Sequence, residues 1–265
     1  KENARPPADA PARVYDGRVP SNVLPRALDL IGRFGRPLTL ANIGAQGIII
    51  VTGAAVRLTE SGLGCSTWPE CEPGTITPAE ATFHAVIEFG NRTLTGVLLV
   101  IAVLTAIAVW RTRRDLTLLG LAPLVGVVLQ AVLGGITVLT GLNPWVVAGH
   151  LWLSAILVWV SVWLALAYRR APRRDGASLA GLRWIQVAAT ALVVFLGTVT
   201  TGPGPHSGDP GAARLACDLE TVARVHAGSA WLFVIVLTVM IWMVRRDRSA
   251  GDVRDEVRPA WLVLA

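Results

Sequence analysis

The amino-acid sequence predicts an all-α integral membrane protein, and three observations carry that prediction. Hydrophobic residues make up 53% of the 265 residues and charged residues only 16%, against roughly a quarter charged in ordinary soluble domains. The apolar residues arrive in blocks near 20 residues long, the length a helix needs to cross about 30 Å of hydrocarbon. Arginines collect directly after alternate blocks, at Arg111, Arg113 and Arg114, at Arg169, Arg170, Arg173 and Arg174, and at Arg245, Arg246 and Arg248. That is the flank pattern of the positive-inside rule. With a mean hydropathy of +0.55, the chain cannot be a disordered, collagen-like or disulfide-dense secreted protein.

Residues 1–22 are rich in Pro, Ala and charge and contain no apolar run, so they read as a mobile tail. They carry neither an initiator Met nor a signal-peptide core, and a trimmed start is expected. Residues 23–35 place Leu24, Leu28, Ile31 and Phe34 on one helical face, which predicts a short interfacial helix. Six spans follow, at about 38–56, 84–110, 116–139, 144–168, 183–201 and 221–244. A seventh begins at Pro259, but Trp261–Ala265 supplies only a fraction of the needed length, so the chain is expected to be truncated in mid-membrane.

The loops set the orientation. Residues 58–83 carry Glu60, Glu70, Glu72 and Glu80 with no Lys or Arg, and residues 140–143 carry no charge. Loops 111–115, 169–183 and 245–258 hold the arginines. The N-terminus is therefore expected in the cytoplasm of a multi-pass plasma-membrane protein, with loops 58–83, 140–143 and 202–220 facing outward. The net charge of +6 and the pI near 10.2 would suit a nucleic-acid partner. The cations sit at span ends, however, so the partner they imply is lipid.

A weak internal repeat runs through the chain. The stretch from His226 to Arg245 resembles that from Asn91 to Arg111, and Leu196–His206 compares with Thr52–Gly62. The first two spans then correspond to the fifth and sixth, a common device in membrane folds. By itself the repeat would also suit a transporter.

Polar residues inside the spans are the functional candidates, because each costs several kcal/mol there unless paired. Asn91 lies 20 residues before Arg111, His150 lies 19 before Arg169, and His226 lies 19 before Arg245. All three therefore sit about 28–30 Å from a basic anchor, at one depth near the outer margin of the bilayer. Each His could be satisfied by a neighbouring carbonyl or snorkel to the surface. Two at matched depth suit metal ligation, and imidazoles on two helices can hold one haem iron. Glu88, Asn91 and Arg92 share a face of the second span, where Glu88 and Arg92 form either a structural ion pair or part of a site. Arg57 ends the first span and marks the interface or holds a haem propionate. His84 and His206 lie nearer the loops and read as solvated. Gly134 and Gly135, in Gln130–Val138, allow a helix or flat ligand to come close, and packing alone explains Gln130 less well.

Three cysteines are too few for a disulfide framework. Cys65 and Cys71 share an outward loop with Trp68 and Pro69, and a disulfide is expected there, as a clip or as a redox-active pair. Cys217 has no evident partner.

Taken together, these residues resemble the haem A synthase family. The likeness runs through Gly53–Cys65 with Trp68–Cys71, Glu88–Arg92, Gln130–Val138, Gly141–Pro144 leading to His150, and Thr201–Gly208 leading to His226. It spans about residues 38–245 in order. The resemblance implies an eight-helix fold of two pseudo-symmetric four-helix bundles, of which about six helices and the start of a seventh are present. Residues 1–36 would form the tail and interfacial helix, 37–168 the bundle for the substrate haem, and 169–265 an incomplete bundle for a haem b cofactor.

The implied reaction oxidises the C8 methyl of haem O to the formyl group of haem A for cytochrome oxidase, by successive hydroxylations. Glu88 would be the catalytic residue and Cys65–Cys71 the family's disulfide. His150 would ligate the substrate iron and His226 that of haem b, with Asn91, Arg92 and Arg57 also lining the cofactor sites. Haem O synthase, cytochrome oxidase assembly factors and a second copy of the chain are the implied partners. The family pattern has His where this chain has Asn91, which leaves an open or water-bound axial position in the first bundle. The family's last histidine would lie on helix eight, which this sequence does not reach. A membrane b-type cytochrome is the alternative reading, though it leaves Glu88 and the cysteine loop without a task.

Overall fold

The computed structural model describes residues 23–169 and 177–246. They form seven α-helices and a single 3-10 turn: α1 (Val23–Arg33), α2 (Gly35–Leu58), α3 (Phe83–Thr112), the turn Arg114–Leu116, α4 (Thr117–Leu139), α5 (Pro144–Tyr168), α6 (Ala177–Thr201) and α7 (Leu219–Arg246). No strand occurs among the described residues beyond one isolated bridge between Glu72 and Thr75. Helices α2 to α7 are each long and apolar enough to cross a membrane, which makes this an all-α integral membrane fold. The tail 1–22 and the segment from Pro259 lie outside the described residues.

Local chemistry fixes where the helices begin. Thr82 caps α3 by accepting from the Ala85 N–H at 3.3 Å. Asn143 accepts from the Trp145 N–H at 3.0 Å, with Pro144 preset for the first helical position of α5. Asp218 accepts from the Thr221 N–H at 2.8 Å and starts α7. Helix α6 begins six residues before the expected 183, since the sequence Ala177–Arg183 has no proline to stop the helix, although it is too polar for hydrocarbon.

Helices α2, α3, α4 and α5 pack in succession and α5 returns to α2, closing a ring, while α6 packs along α7 and touches α5 more lightly. The ring's core is Leu98, Ala102 and Val127, with Ala45, Ile49 and Leu124 against it. Lipid tails offer no hydrophobic gain for helix association, so close contact and interhelical hydrogen bonds do the holding. A Cβ on Gly126 of α4 would stand 3.0 Å from the Leu157 Cγ of α5, so those two helices meet at backbone distance. Asn42 of α2 donates to the Ser161 Oγ of α5 at 2.9 Å, and Thr105 of α3 donates to the Leu38 carbonyl at 3.2 Å. The periphery carries large exposed apolar groups such as Val51, Leu118 and Trp231, as a lipid-facing surface should.

At the arginine-rich end, Arg113 forks onto Asp115 at 2.9 and 2.7 Å and donates to the Ala167 and Tyr168 carbonyls, tying the α3–α4 turn to the end of α5. Helix α1 lies against this end of α3, joined by an Asp29–Arg111 ion pair and by Gly32 against Thr112. Leu28 and Ile31 are half-buried and Phe34 is exposed, so the expected apolar stripe is only partly covered by protein. The opposite end carries the long loop 59–82, the tight α4–α5 turn and the α6–α7 loop, and the candidate residues gather there.

Candidate functional site

Glu88 sits in the second turn of α3 and is 5% exposed. Its Oε2 accepts from the Cys65 N–H at 2.7 Å, and its Oε1 accepts from Arg92 Nη2 at 2.5 Å and Nε at 3.1 Å. The i, i+4 spacing stacks the two side chains on one helical face. Arg92 in turn donates through Nη1 to the Thr67 and Glu70 carbonyls at 3.0 and 3.2 Å. Every donor on Glu88 is an N–H, the partner set of a carboxylate. The pair therefore does more than neutralise itself: it pins loop 65–71 to α3 from beneath. That loop is closed by the Cys65–Cys71 disulfide, S–S 2.05 Å, with both residues fully buried. The disulfide expected from the loop's two cysteines is present, and Cys217 is a free, exposed thiol.

His150 lies two turns into α5. Its Nδ1 is buried without a hydrogen-bond partner, and the ring faces Gly134 of α4, where a Cβ would stand 3.4 Å from the imidazole Cε1. Gln130 holds this turn by donating from Nε2 to the His150 carbonyl at 3.0 Å and to the Ser154 Oγ at 2.5 Å, which gives that glutamine its structural task. The same arrangement recurs in the other half. His226 of α7 has a buried, unpartnered Nδ1 and faces Gly197 of α6, where a Cβ would stand 3.2 Å from its Cε1. Each imidazole thus faces the glycine of its own helix pair, α4–α5 or α6–α7.

Asn91 is held by the Thr52 hydroxyl of α2 at 2.8 Å. Thr52 escaped the sequence reading because a threonine in an apolar helix normally satisfies itself on the preceding turn, as Thr52 also does at the Ile48 carbonyl, 3.1 Å away. The only available signal was its place one helix over at the depth of Asn91. Arg57 points to the other half of the molecule: its Nε donates to the His206 carbonyl at 2.7 Å and its Nη2 to the Thr201 carbonyl at 2.6 Å. Beside it, the Gly62 N–H donates to the Gly208 carbonyl at 2.8 Å. Leu142, in the left-handed region at φ 59°, wedges its side chain between those two glycines. A small cleft of about 40 Å³ lies there, between Val147 and Leu151 of α5 and Thr198 of α6. His84 is exposed, with Ser61 Oγ 3.0 Å from its Nδ1, and His206 is exposed in the loop, as their positions near the loops suggested.

No group of three or more His, Cys, Asp or Glu that could cage a bare metal ion occurs among the described residues. Lone imidazoles on apolar helices, each with a buried nitrogen lacking a partner and a glycine across from it, suit a flat macrocycle whose own nitrogens supply most of the iron's ligands. Fold and site together define a multi-pass membrane protein with two histidine-bearing helix pairs and a disulfide-clipped loop over the first. The comparisons agree. Residues 37–204 match the COX15-CtaA family, described as Cytochrome oxidase assembly protein, and the chain belongs to that family.

Among curated relatives, the chain is similar to a protein named Heme A synthase from Lysinibacillus sphaericus, 32% identical over 163 residues, covering 57% of this chain and 53% of the relative. A Heme A synthase from Listeria welshimeri is 25% identical over 238 residues, covering 81% and 76%. One from Halalkalibacterium halodurans is 33% identical over 122 residues, covering 44% and 40%. The chain thus spans about half the length of the Lysinibacillus relative. No solved structure matches it.

Proposed function

We propose that the protein acts in haem A biosynthesis as a haem A synthase, oxidising the C8 methyl of haem O to a formyl group by two successive hydroxylations and loss of water, a four-electron oxidation whose electrons pass to an external oxidant. The observation that carries this reading is Glu88: a buried carboxylate held in place by Arg92 and the Cys65 amide, on α3 of the four-helix ring that also carries His150. A b-type electron carrier has no use for such a group. The names of the relatives support the same activity.

In this reading His150 orients the substrate haem from α5. Asn91 is engaged by Thr52, so His150 would be the imidazole that holds the substrate haem. Glu88 would accept or return a proton near the reacting methyl. Arg92 fixes the carboxylate's rotamer. His226 is the residue that would hold haem b, which supplies one-electron chemistry when bound. Arg57 fastens the two halves and leaves Nη1 for a propionate. The reading places the loop end outside the plasma membrane and the N-terminus in the cytoplasm. Haem O synthase, as the source of substrate, and assembly factors of cytochrome oxidase are the proposed partners, with a homo-oligomer as the proposed assembly.

The test is pigment analysis of membranes in which the full chain is co-expressed with a haem O synthase. The parent should yield haem A, with haem b bound. Glu88→Gln, which still accepts from Cys65, should abolish haem A while retaining bound haem. Glu88→Ala should in addition loosen loop 65–71. Normal haem A formation by Glu88→Gln overturns the role of Glu88; haem b as the sole pigment of the parent points to an electron carrier, and no haem at all to a transporter.

A further inference from the structure

The indole of Trp68 rests on α4 at Gly135, so closely that a Cβ there would stand 2.7 Å from its Cε2 and Cγ. The preceding residue of α4, Gly134, faces the His150 imidazole at ordinary contact distance, with 3.4 Å from a Cβ there to the Cε1. One pair of adjacent glycines on α4 therefore receives both the loop's tryptophan and the α5 histidine. Trp68 itself is half-buried. It sits midway along the loop closed by Cys65–Cys71, and both arms of that loop are fastened to α3, one through Glu88 to the Cys65 N–H and Arg92 to the Thr67 carbonyl, the other through Arg92 to the Glu70 carbonyl. A two-torsion aromatic group held this firmly offers a fixed wall at little entropic cost.

We infer that Trp68 is a positioning and specificity-determining residue of the first pocket, its indole forming the loop-side wall against which a flat apolar macrocycle held at His150 is seated. The inference rests on the proposed function only for the identity of the ligand. The disulfide and the Glu88–Arg92 pair then have a shared purpose, since both set where the indole stands. Gly135 is glycine because any side chain would push the indole away.

Full-length protein in detergent, in a His226→Ala background that leaves the first pocket alone and in the parent background with a two-site fit, is titrated with haemin and followed at the Soret band. Trp68→Ala and Gly135→Ala should each weaken binding at that pocket by about tenfold, and Trp68→Phe by no more than about threefold. The double variant should be no worse than either single one, because both remove the same contact. Thiol labelling in a Cys217→Ser background should find Cys65 and Cys71 still bridged in every variant. Parent-like affinity in both Trp68→Ala and Gly135→Ala overturns the inference, as does a loss of affinity that tracks a loss of the disulfide. Failure of the parent to take up haemin at all overturns the functional reading, and the two failures are told apart by that control.

Discussion

Asn42 is fully buried in α2 and donates to Ser161, which itself donates to the Leu157 carbonyl one turn earlier. Removing the hydroxyl leaves a buried amide with no partner at either end, because its Oδ1 already has none. Ser161→Ala should therefore lower stability by about 1–2 kcal/mol, read from unfolding in mixed micelles. Asn42→Leu combined with Ser161→Ala should recover much of that loss, since an apolar pair leaves nothing unsatisfied. At this scale the sequence was most legible where a strongly polar group stands in an apolar run: Glu88, Arg92, His150 and His226 are conspicuous on solvation cost alone. It was least legible for hydroxyls. Thr52 and Ser161 can satisfy themselves on their own helix, so nothing in the sequence announces that they also reach across to Asn91 and Asn42. Arg57 was visible as a cation at a span end, but its acceptors are backbone carbonyls at the end of α6 and in the loop after it, more than 140 positions away, and no side-chain pattern encodes those.

The helices were nearly all readable, since a span is defined by length and polarity rather than by subtle propensity. What could not be read is how closely they approach. Gly126 is one of many glycines in the chain, and only the position of Leu157 makes it a contact point. Gly126→Ala should force α4 and α5 apart and cost about 1–3 kcal/mol, measured in the same micelle assay. Gly44, which has open space around it, should accept the same change with little loss. The start of α7 provides a pH-dependent case. Hydrogen bonds from Thr221 hold the Asp218 carboxyl below its ordinary value. The cap's contribution is thus fully present above the ordinary aspartate pKa and fades as pH falls through the lowered one. Amide exchange in the first turn of α7 should quicken on acidification in the parent, and Asp218→Ala should show the quicker exchange already at neutral pH.

For the molecule as a whole, the charge asymmetry between loops gives the proposed orientation, and the free thiol of Cys217 offers a direct check. It is exposed in the α6–α7 loop, on the side carrying the disulfide loop. A membrane-impermeant maleimide should label Cys217 on intact cells, and Cys217→Ser should abolish that signal. Labelling that needs permeabilised cells would reverse the assignment. The internal repeat was legible as matched intervals to matched arginines, and in the structure α6 and α7 lie together as α2 and α3 do. It could not foretell that each histidine would face a glycine on its partner helix, because Gly134 and Gly197 occupy non-equivalent places in the repeat.

The guanidinium of Arg57 acquires a further meaning when synthesis is followed in time. Chains are made from the N-terminus, so α2 is in the bilayer long before the ribosome reaches Thr201 and His206, whose carbonyls Arg57 grips. The four-helix ring can close in that interval, with the cation waiting in water at the membrane surface. When the later residues emerge they meet a donor already in place. The buckle between the halves is therefore fastened late, after the first pocket has its walls.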